Sequence, residues 1–340
     1  MTIHVGLIGG GNITETHARA ATAIPDLKIA AMFGSNSEKV LRLSQQYGGT
    51  PYSDFERFLD HRPMHLVALG SPSGLHAAHG VAAASRGLHV LTEKPLEIST
   101  ASADHLISAA QQHKVKLGVI FQDRLKPEIR RLKEWIERGV LGRPLLVDAR
   151  VKWYRAPEYY SQSKWRGTLA LDGGAALINQ AIHTVDLLLW LMGDVKRVQS
   201  CTSTRFHAIE GEDLATAILQ FESGAIGTLQ ASTAIYPGYA RRLEITGSEG
   251  TVILEHDRII AADLRSAPDD VRPGTPSADS ENVSSPLLSD FSGHQAIFED
   301  FVRAINQDGT PACDGQEGRR SLALVEEIYE AAGRKQREPM

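Results

Sequence analysis

Ile3-His4-Val5-Gly6-Leu7-Ile8-Gly9-Gly10-Gly11-Asn12-Ile13-Thr14 is the stretch from which the rest of the chain is best read. Its first six residues are apolar or small apart from His4, three glycines follow without a spacer, and a helical pattern opens at once. A strand, a tight turn and a helix in that order suit the binding of a pyrophosphate: Gly9 supplies the turn's backbone angles, and Gly11 lets the main chain approach the anion at the helix N-terminus. A third glycine would be expected at position 14, where Thr14 stands, so the pattern is Gly-x-Gly-x-x-Thr. Its weight comes from the flanking strand and helix, since the motif alone is a weak signal.

Outward from this turn, short apolar runs alternate with longer helical patterns over about the first 120 residues, the signature of βαβ units and a parallel sheet. Strands are expected at Ile3–Ile8, Leu27–Phe33, Leu66–Leu69, His89–Leu91 and Lys116–Phe121, with helices centred on Thr14–Ala23, Glu38–Tyr47, His76–Arg86 and Ala101–His113. Right-handed crossovers make this an α/β doubly wound sheet, with ligands at the carboxyl ends of its strands, where Ile8, Leu69 and Leu91 end. From about residue 145 the texture changes to period-2 runs at Leu145–Trp153, Val195–Arg205, Asp213–Glu222, Ala225–Ala234, Arg241–Thr246 and Thr251–Glu255. Turns such as Glu222-Ser223-Gly224 join neighbours, so an α+β domain with a large, mostly antiparallel open sheet is expected. One helix, Leu177–Met192, interrupts it; Ser266–Asp290 reads as a surface excursion; and helices at His294–Asn306 and Gly318–Arg334 follow. The expected division is 1–122 for a dinucleotide-binding domain and 123–340 for a substrate-binding and oligomerisation domain.

Composition agrees with two packed domains. The chain has 340 residues, 42% hydrophobic and 23% charged, which excludes disorder, collagen and coiled coil. Its formal charge is 36 − 41 = −5 with no long basic block, so nucleic acid is not an expected partner. The two cysteines, Cys201 and Cys313, stand in no ligand motif, which argues against a disulfide framework or a metal site. No secretory signal and no membrane-spanning apolar run is visible, and a cytoplasmic location is expected.

At the end of the second strand, NAD-preferring folds place an acid for the adenosine ribose. Here the chain has Gly34-Ser35-Asn36-Ser37-Glu38-Lys39. Gly34, Ser35, Asn36 and Lys39 would tolerate and hydrogen-bond a 2′-phosphate, which favours NADP; the alternative is that Glu38 or main-chain contacts serve NAD.

The segment Val90-Leu91-Thr92-Glu93-Lys94-Pro95-Leu96, taken with Gly9-x-Gly11-Asn12-Ile13, Gly70-Ser71-Pro72 followed by His76, and a later Gly173-Gly174…His183-x-x-Asp186, resembles the Gfo/Idh/MocA family of NAD(P)-dependent oxidoreductases, with a Rossmann domain first. The resemblance spans essentially the whole chain. It implies that Lys94 projects between nicotinamide and substrate, that Pro95 follows a peptide bond often cis in the family, and that Gly9, Gly11, Asn12, Ile13, Ser71, Pro72, His76 and Glu93 contact the cofactor. Gln122-Asp123-Arg124 resembles the family's Gln-Asn-Arg with Asp123 as a departure, and Gln122 and Arg124 are expected beside the cofactor, as is Trp165. In an α-helix Asn179, His183 and Asp186 stand at i, i+4 and i+7 on one face. The resemblance makes His183 the proton acceptor, and an ordinary imidazole pKa near ~6.5 suits that work at neutral pH. Asn179 departs from the Asp of many polyol dehydrogenases in the family; it is expected to bind substrate hydroxyls, and Asp186 to orient His183 or to cap a local network.

The segment from Lys152 to Gly167 holds two of four tryptophans and three of eight tyrosines. Aromatic faces with cations between them suit a carbohydrate ring, and Lys152, Tyr154, Tyr160, Trp165 and Arg166 are the expected substrate contacts, with an aromatic interface as the alternative. The expectation is a dehydrogenase of a sugar, sugar acid or cyclic polyol that uses NAD(P)(H) and no metal, and that forms a homodimer or homotetramer through its second-domain sheet. The rivals are a glycosidase of the same fold that oxidises its sugar transiently, and a non-catalytic NAD(P)-binding regulator.

Overall fold

In the computed structural model, which describes residues 1–266 and 290–334, the chain divides into two units. The first comprises 1–122 together with 290–322, and the second 123–266 with 323–334. The chain therefore leaves the first unit and returns to it, whereas an uninterrupted second domain from 123 onward was expected. The expected surface excursion falls, but for its end residues, outside the described residues.

The first unit is built on β1 (Ile3–Ile8), α1 (Asn12–Thr22), β2 (Leu27–Phe33), α2 (Ser37–Tyr47), β3 (Thr50–Tyr52), α3 (Phe55–Leu59), β4 (Leu66–Leu69), α4 (His76–Ala84), β5 (His89–Thr92), α5 (Thr100–Gln112) and β6 (Leu117–Val119). The six strands are all parallel in the order β3-β2-β1-β4-β5-β6. The order reverses between β1 and β4, which is where such sheets open a crevice for ligands. β4 is buried at all four positions and β1 at five of six, as a sheet covered on both faces requires. Strand β3 has no counterpart among the expected strands: three residues with Pro51 in the middle carry little periodicity, and Pro51 fits because β3 is an edge.

In the second unit, α6 (Pro127–Glu137) precedes β7 (Pro144–Lys152) and α7 (Pro157–Ser161); a π-helical turn at Ala176–Ala181 runs into α8 (Ile182–Met192). The sheet continues with β8 (Val195–Ser203), β9 (Leu214–Phe221), β10 (Ile226–Ser232), β11 (Arg242–Gly247), β12 (Gly250–Glu255) and β13 (Arg258–Leu264). Its seven strands run in the order β13-β12-β11-β7-β10-β9-β8, antiparallel except where β10 lies parallel to β7. On β9 Ala215, Ala217, Leu219 and Phe221 are buried while Thr216, Ile218 and Gln220 are exposed, so one face is core and the other open. Helix α9 (Ser292–Asn306) packs on α1 in the first unit, and α10 (Gly315–Ala331) contains the division at 322. Among the described residues no helix is long and apolar enough to cross a membrane.

Candidate functional site

In the first unit the glycine turn has the form its residues require. Gly9 has φ +134°, and a Cβ there would fall 2.4 Å from Thr14 Oγ1 and 2.7 Å from the carbonyl oxygen of Gly70. Thr14, in place of a third glycine, is thus the buried floor of the turn. Gly11 caps α1 with no side-chain acceptor on the helix N–H groups, and a Cβ there would meet nothing within 4 Å. Open space in front of an uncapped helix N-terminus fits a pyrophosphate. Asn12 is exposed and Ile13 half-buried beside it. The absence of an acid at Gly34 has a packing cause, since a Cβ there would lie 2.7 Å from Gly9 O. Ser35, Asn36 and Lys39 are exposed at this strand end, and Asn36 Oδ1 accepts from the Lys39 amide at 3.0 Å to cap α2.

The Lys94 turn follows β5. Lys94 is half-buried and its bond to Pro95 is cis. Glu93 is fixed from three sides: Nε2 of His17 and of His294 lie 2.9 and 3.1 Å from its Oε1, and the Lys94 amide donates to its Oε2 at 3.2 Å. Burial would raise its pKa, but the two imidazoles outweigh that and hold the carboxyl well below its usual range. These three are the one His/Glu group of metal-ligand spacing among the described residues, with ligand atoms within 4.8 Å of one another; two N–H donors on one carboxylate oxygen account for the arrangement. His76 is 1% exposed, with Nδ1 3.0 Å from Pro95 O and Nε2 3.0 Å from Ser71 O. Both residues were expected on the cofactor. Their polar atoms are instead spent inside the protein, where they brace Lys94 and tie the loop after β4 to the Lys94 turn. Ser71 Oγ is engaged by His79, Pro72 is half-buried, and Gln122 has a buried Oε1 with no partner among the described residues.

In the second unit the expected single α-helical face is broken. Asn179 lies in the π-helical turn and His183 in the first turn of α8, so the i, i+4 relation does not hold across the junction. Asn179 donates to Asp172 Oδ1 at 2.5 Å and accepts from Gln180 Nε2 at 2.7 Å; Gln180 in turn accepts from Arg155 Nη2 at 2.8 Å. Both ends of the Asn179 amide are therefore engaged within the chain, where a substrate contact was expected. Asp186 accepts from Arg124 Nε at 2.8 Å and from Nη2 at 2.7 Å, and the two residues are 0% and 3% exposed. Arg124 was expected beside the cofactor and Asp186 was a candidate orienter of His183; a buried bidentate pair commits each to the other. A carboxylate within ion-pair distance of His183 is that of Asp123, whose Oδ2 lies 3.8 Å from Nδ1.

Residues of the aromatic segment line two hollows in the second unit. Tyr160 and Arg166 line a cleft of about 690 Å³ with Ser163, Thr168, His207 and Glu210. Tyr160 donates its hydroxyl to Thr233, burial raises its pKa, and Arg166 stacks over Tyr159 and Trp165 at 4.3 and 5.6 Å. Lys152 instead lines a separate hollow of about 410 Å³ with Arg150, Tyr239, Arg242 and Glu255. Tyr154 packs edge-on against Tyr236 with ring centres 5.3 Å apart. Residues the sequence reading passed over are His17, His294, Asp172, Gln180, Arg155 and Arg241. Of these, Asp172 stands beside the Gly173-Gly174 pair, Gln180 beside Asn179, and Arg155 within the aromatic segment, whereas His17, His294 and Arg241 stand in no motif.

Residues 3–121 match the model of the oxidoreductase family with an NAD-binding Rossmann fold, and 129–253 match the GFO/IDH/MocA C-terminal domain. A solved structure of the WlbA dehydrogenase from Bordetella pertussis, in complex with NADH and UDP-GlcNAcA, is 30% identical with a TM-score of 0.89, covering 98% of this chain and 97% of that one. Levoglucosan dehydrogenase of Pseudarthrobacter phenanthrenivorans is 24% identical, covering 98% of this chain and 96% of its own. D-Apiose dehydrogenase of Paraburkholderia graminis is 26% identical over 96% and 86%. With both halves matched in sequence and fold, the chain belongs to the GFO/IDH/MocA family of oxidoreductases.

Proposed function

We propose that this protein is a dehydrogenase that oxidises a hydroxyl of a sugar, sugar acid or cyclic polyol with NAD(P) as hydride acceptor. Membership of an NAD-binding oxidoreductase family supports the reaction class, and the levoglucosan, apiose and nucleotide-sugar relatives support the substrate class. The observation that carries the reading to particular residues is Lys94. It follows β5 at the carboxyl edge of the sheet that also presents Gly9 and Gly34, and Glu93, His17, His294 and His76 brace its turn.

NAD(P), when bound, supplies the hydride acceptor. Gly9, Gly11, Asn12 and Ile13 hold its pyrophosphate at the N-terminus of α1, with Ser71, Pro72, Gln122 and Trp165 as further neighbours. Lys94 Nζ donates to the reacting oxygen and stabilises the negative charge that develops there. His183 takes the hydroxyl proton at Nε2. Tyr154, Tyr160, Trp165 and Arg166 offer ring faces and a guanidinium to the sugar, and the Asn179–Gln180–Arg155 chain fixes the backbone from which His183 projects. The end of β2 favours NADP: with Asn36 Oδ1 spent on the helix cap, its Nδ2 and Lys39 are donors suited to a 2′-phosphate. We also infer a homodimer or homotetramer through the open sheet face, where Leu146, Ile218 and Ile226 are 49, 51 and 52% exposed and Ile226 pairs with Leu146.

The test is an absorbance screen at ~340 nm, the reduced-nicotinamide band, over sugars, sugar acids and inositols with NAD and NADP, repeated with Lys94→Ala. The variant should keep its dinucleotide affinity and lose about 10²–10³-fold in kcat, as when one preorganised donor is removed from a developing oxyanion. Undiminished turnover would remove Lys94 from the chemistry.

A further inference from the structure

Asp123 is 4% exposed and lies among three basic side chains. Its Oδ2 accepts from Arg241 Nη1 at 2.6 Å, its Oδ1 lies 2.7 Å from Lys126 Nζ, and the same Oδ2 lies 3.8 Å from His183 Nδ1. Lys126 and Arg241 each pair again with Asp257, which closes a ring of two acids and two bases. Asp257 sits in the turn between β12 and β13, and Arg241 immediately before β11. Three separate parts of the second unit thus converge to hold one carboxylate at one ring nitrogen.

We propose that Asp123 is the positioning residue of His183: it draws the Nδ1–H toward itself, so that the lone pair is presented at Nε2, and it stabilises the imidazolium once the proton has arrived. The inference rests on the reading of His183 as proton acceptor. Asp186, the other acid on α8, accepts twice from Arg124, and Asn179 carries no charge and is bonded to Asp172 and Gln180. Burial would raise the Asp123 carboxyl, but Arg241, His183 and Lys126 together keep it far below the usual carboxylate range. It therefore stays ionised while His183 titrates and does not itself take the proton. A separation of 3.8 Å is ion-pair rather than hydrogen-bond distance, and contacts of catalytic groups commonly tighten only with substrate present.

Among the charged groups near His183 are Asp123, with Lys126 and Arg241 opposing it, Asp257 behind them, and the buried Arg124–Asp186 pair. Removing the acid must lower the pKa of His183, and removing an opposing cation must raise it. The test is an NMR titration of His183 in the full-length protein, wild type, Asp123→Asn and Lys126→Gln, alongside the pH profile of kcat/KM on whichever substrate the screen returns. Asp123→Asn should lower the imidazole pKa by at least half a unit, move the acid limb of the profile to lower pH by the same amount, and reduce the kcat plateau about tenfold with little change in KM. Lys126→Gln should move the titration the other way. If Asp123→Asn does not fold, Asp123→Asn/Lys126→Gln removes one charge of each sign and should still lower the His183 pKa relative to Lys126→Gln. An unmoved titration in the acid-less variant overturns the inference. Because the titration is read without turnover, it is separable from the parent reading, which fails instead if His183→Ala retains full activity.

Discussion

His79 shows in one side chain how burial sets a pH limit on this fold. Its ring lies 5.0 Å from Phe55 and 6.4 Å from Phe33, its Nδ1 is 3.0 Å from Ser71 Oγ, and burial pushes its pKa from 6.5 down to about 4. A histidine with a folded value below its unfolded one binds fewer protons when folded, so stability is whole above pH 6.5 and drains as the pH falls toward 4. At ~1.4 kcal/mol per unit the loss is about 3 kcal/mol. His79→Leu should flatten the slope of urea-unfolding free energy over that window by a comparable amount, and an unchanged slope would refute the attribution. His17 and His76, buried with lowered pKa values, add loss of the same sign. At this scale legibility followed the neighbours. Lys94 and His183 could be picked out because Glu93-Lys94-Pro95 and His183-x-x-Asp186 are local patterns. The surroundings of Asp123 could not, because Arg241 lies 118 positions away. Nor did any spacing announce that Glu93 would be held by His294, 201 positions on.

Among the elements, the glycine turn and the end of β2 form one mechanical unit. A methyl at Gly34 would press on Gly9 O at 2.7 Å and on Val40 Cγ2 at 3.1 Å, whereas one at Gly11 would enter open space. Gly34→Ala should therefore cost about 1–3 kcal/mol of stability, as overpacking does, and weaken dinucleotide binding as the turn shifts. Gly11→Ala should leave the thermal midpoint near wild type and weaken dinucleotide binding at least tenfold, about 1.4 kcal/mol, measured by calorimetry. Wild-type affinity in both variants would show that the cofactor does not lie on this turn. Elements with strong periodicity were readable almost to the residue: β1, β2 and β4 coincide with the expected runs. β3 and β13 were not, the first for its length and its proline, the second because its pairing with β12 slips register near Ile253 and Leu254. The π-helical turn at Ala176–Ala181 escaped for another reason. Residue types do not distinguish an i+4 from an i+5 ladder, and here the buried Glu212, which accepts from the Leu177 amide at 2.7 Å, helps to set the wider turn.

For the whole molecule, a seven-stranded sheet with one open face makes a prediction about assembly. A soluble sheet leaves an apolar patch uncovered only at a cost, and Leu146, Ile218 and Ile226 lie on neighbouring strands of that face. Ile226→Asp with Leu146→Asp should convert the inferred oligomer to monomer in light scattering while leaving the fold, by circular dichroism, unchanged. A wild-type protein that is already monomeric at micromolar concentration would remove the interface. Composition and alternation anticipated the two sheets and their strand character, but not the return of 290–322 to the first unit, since helical periodicity gives a buried face and not its partner.

That return sets the timetable of synthesis. Helix α1 packs on α9, and the brace on Lys94 uses His294 as well as His17. A nascent chain that has emerged only as far as Gln122 holds all six strands of its parallel sheet, yet it lacks the helix that covers α1 and one of the two imidazoles on Glu93. The first unit cannot be completed until the entire second sheet has been translated.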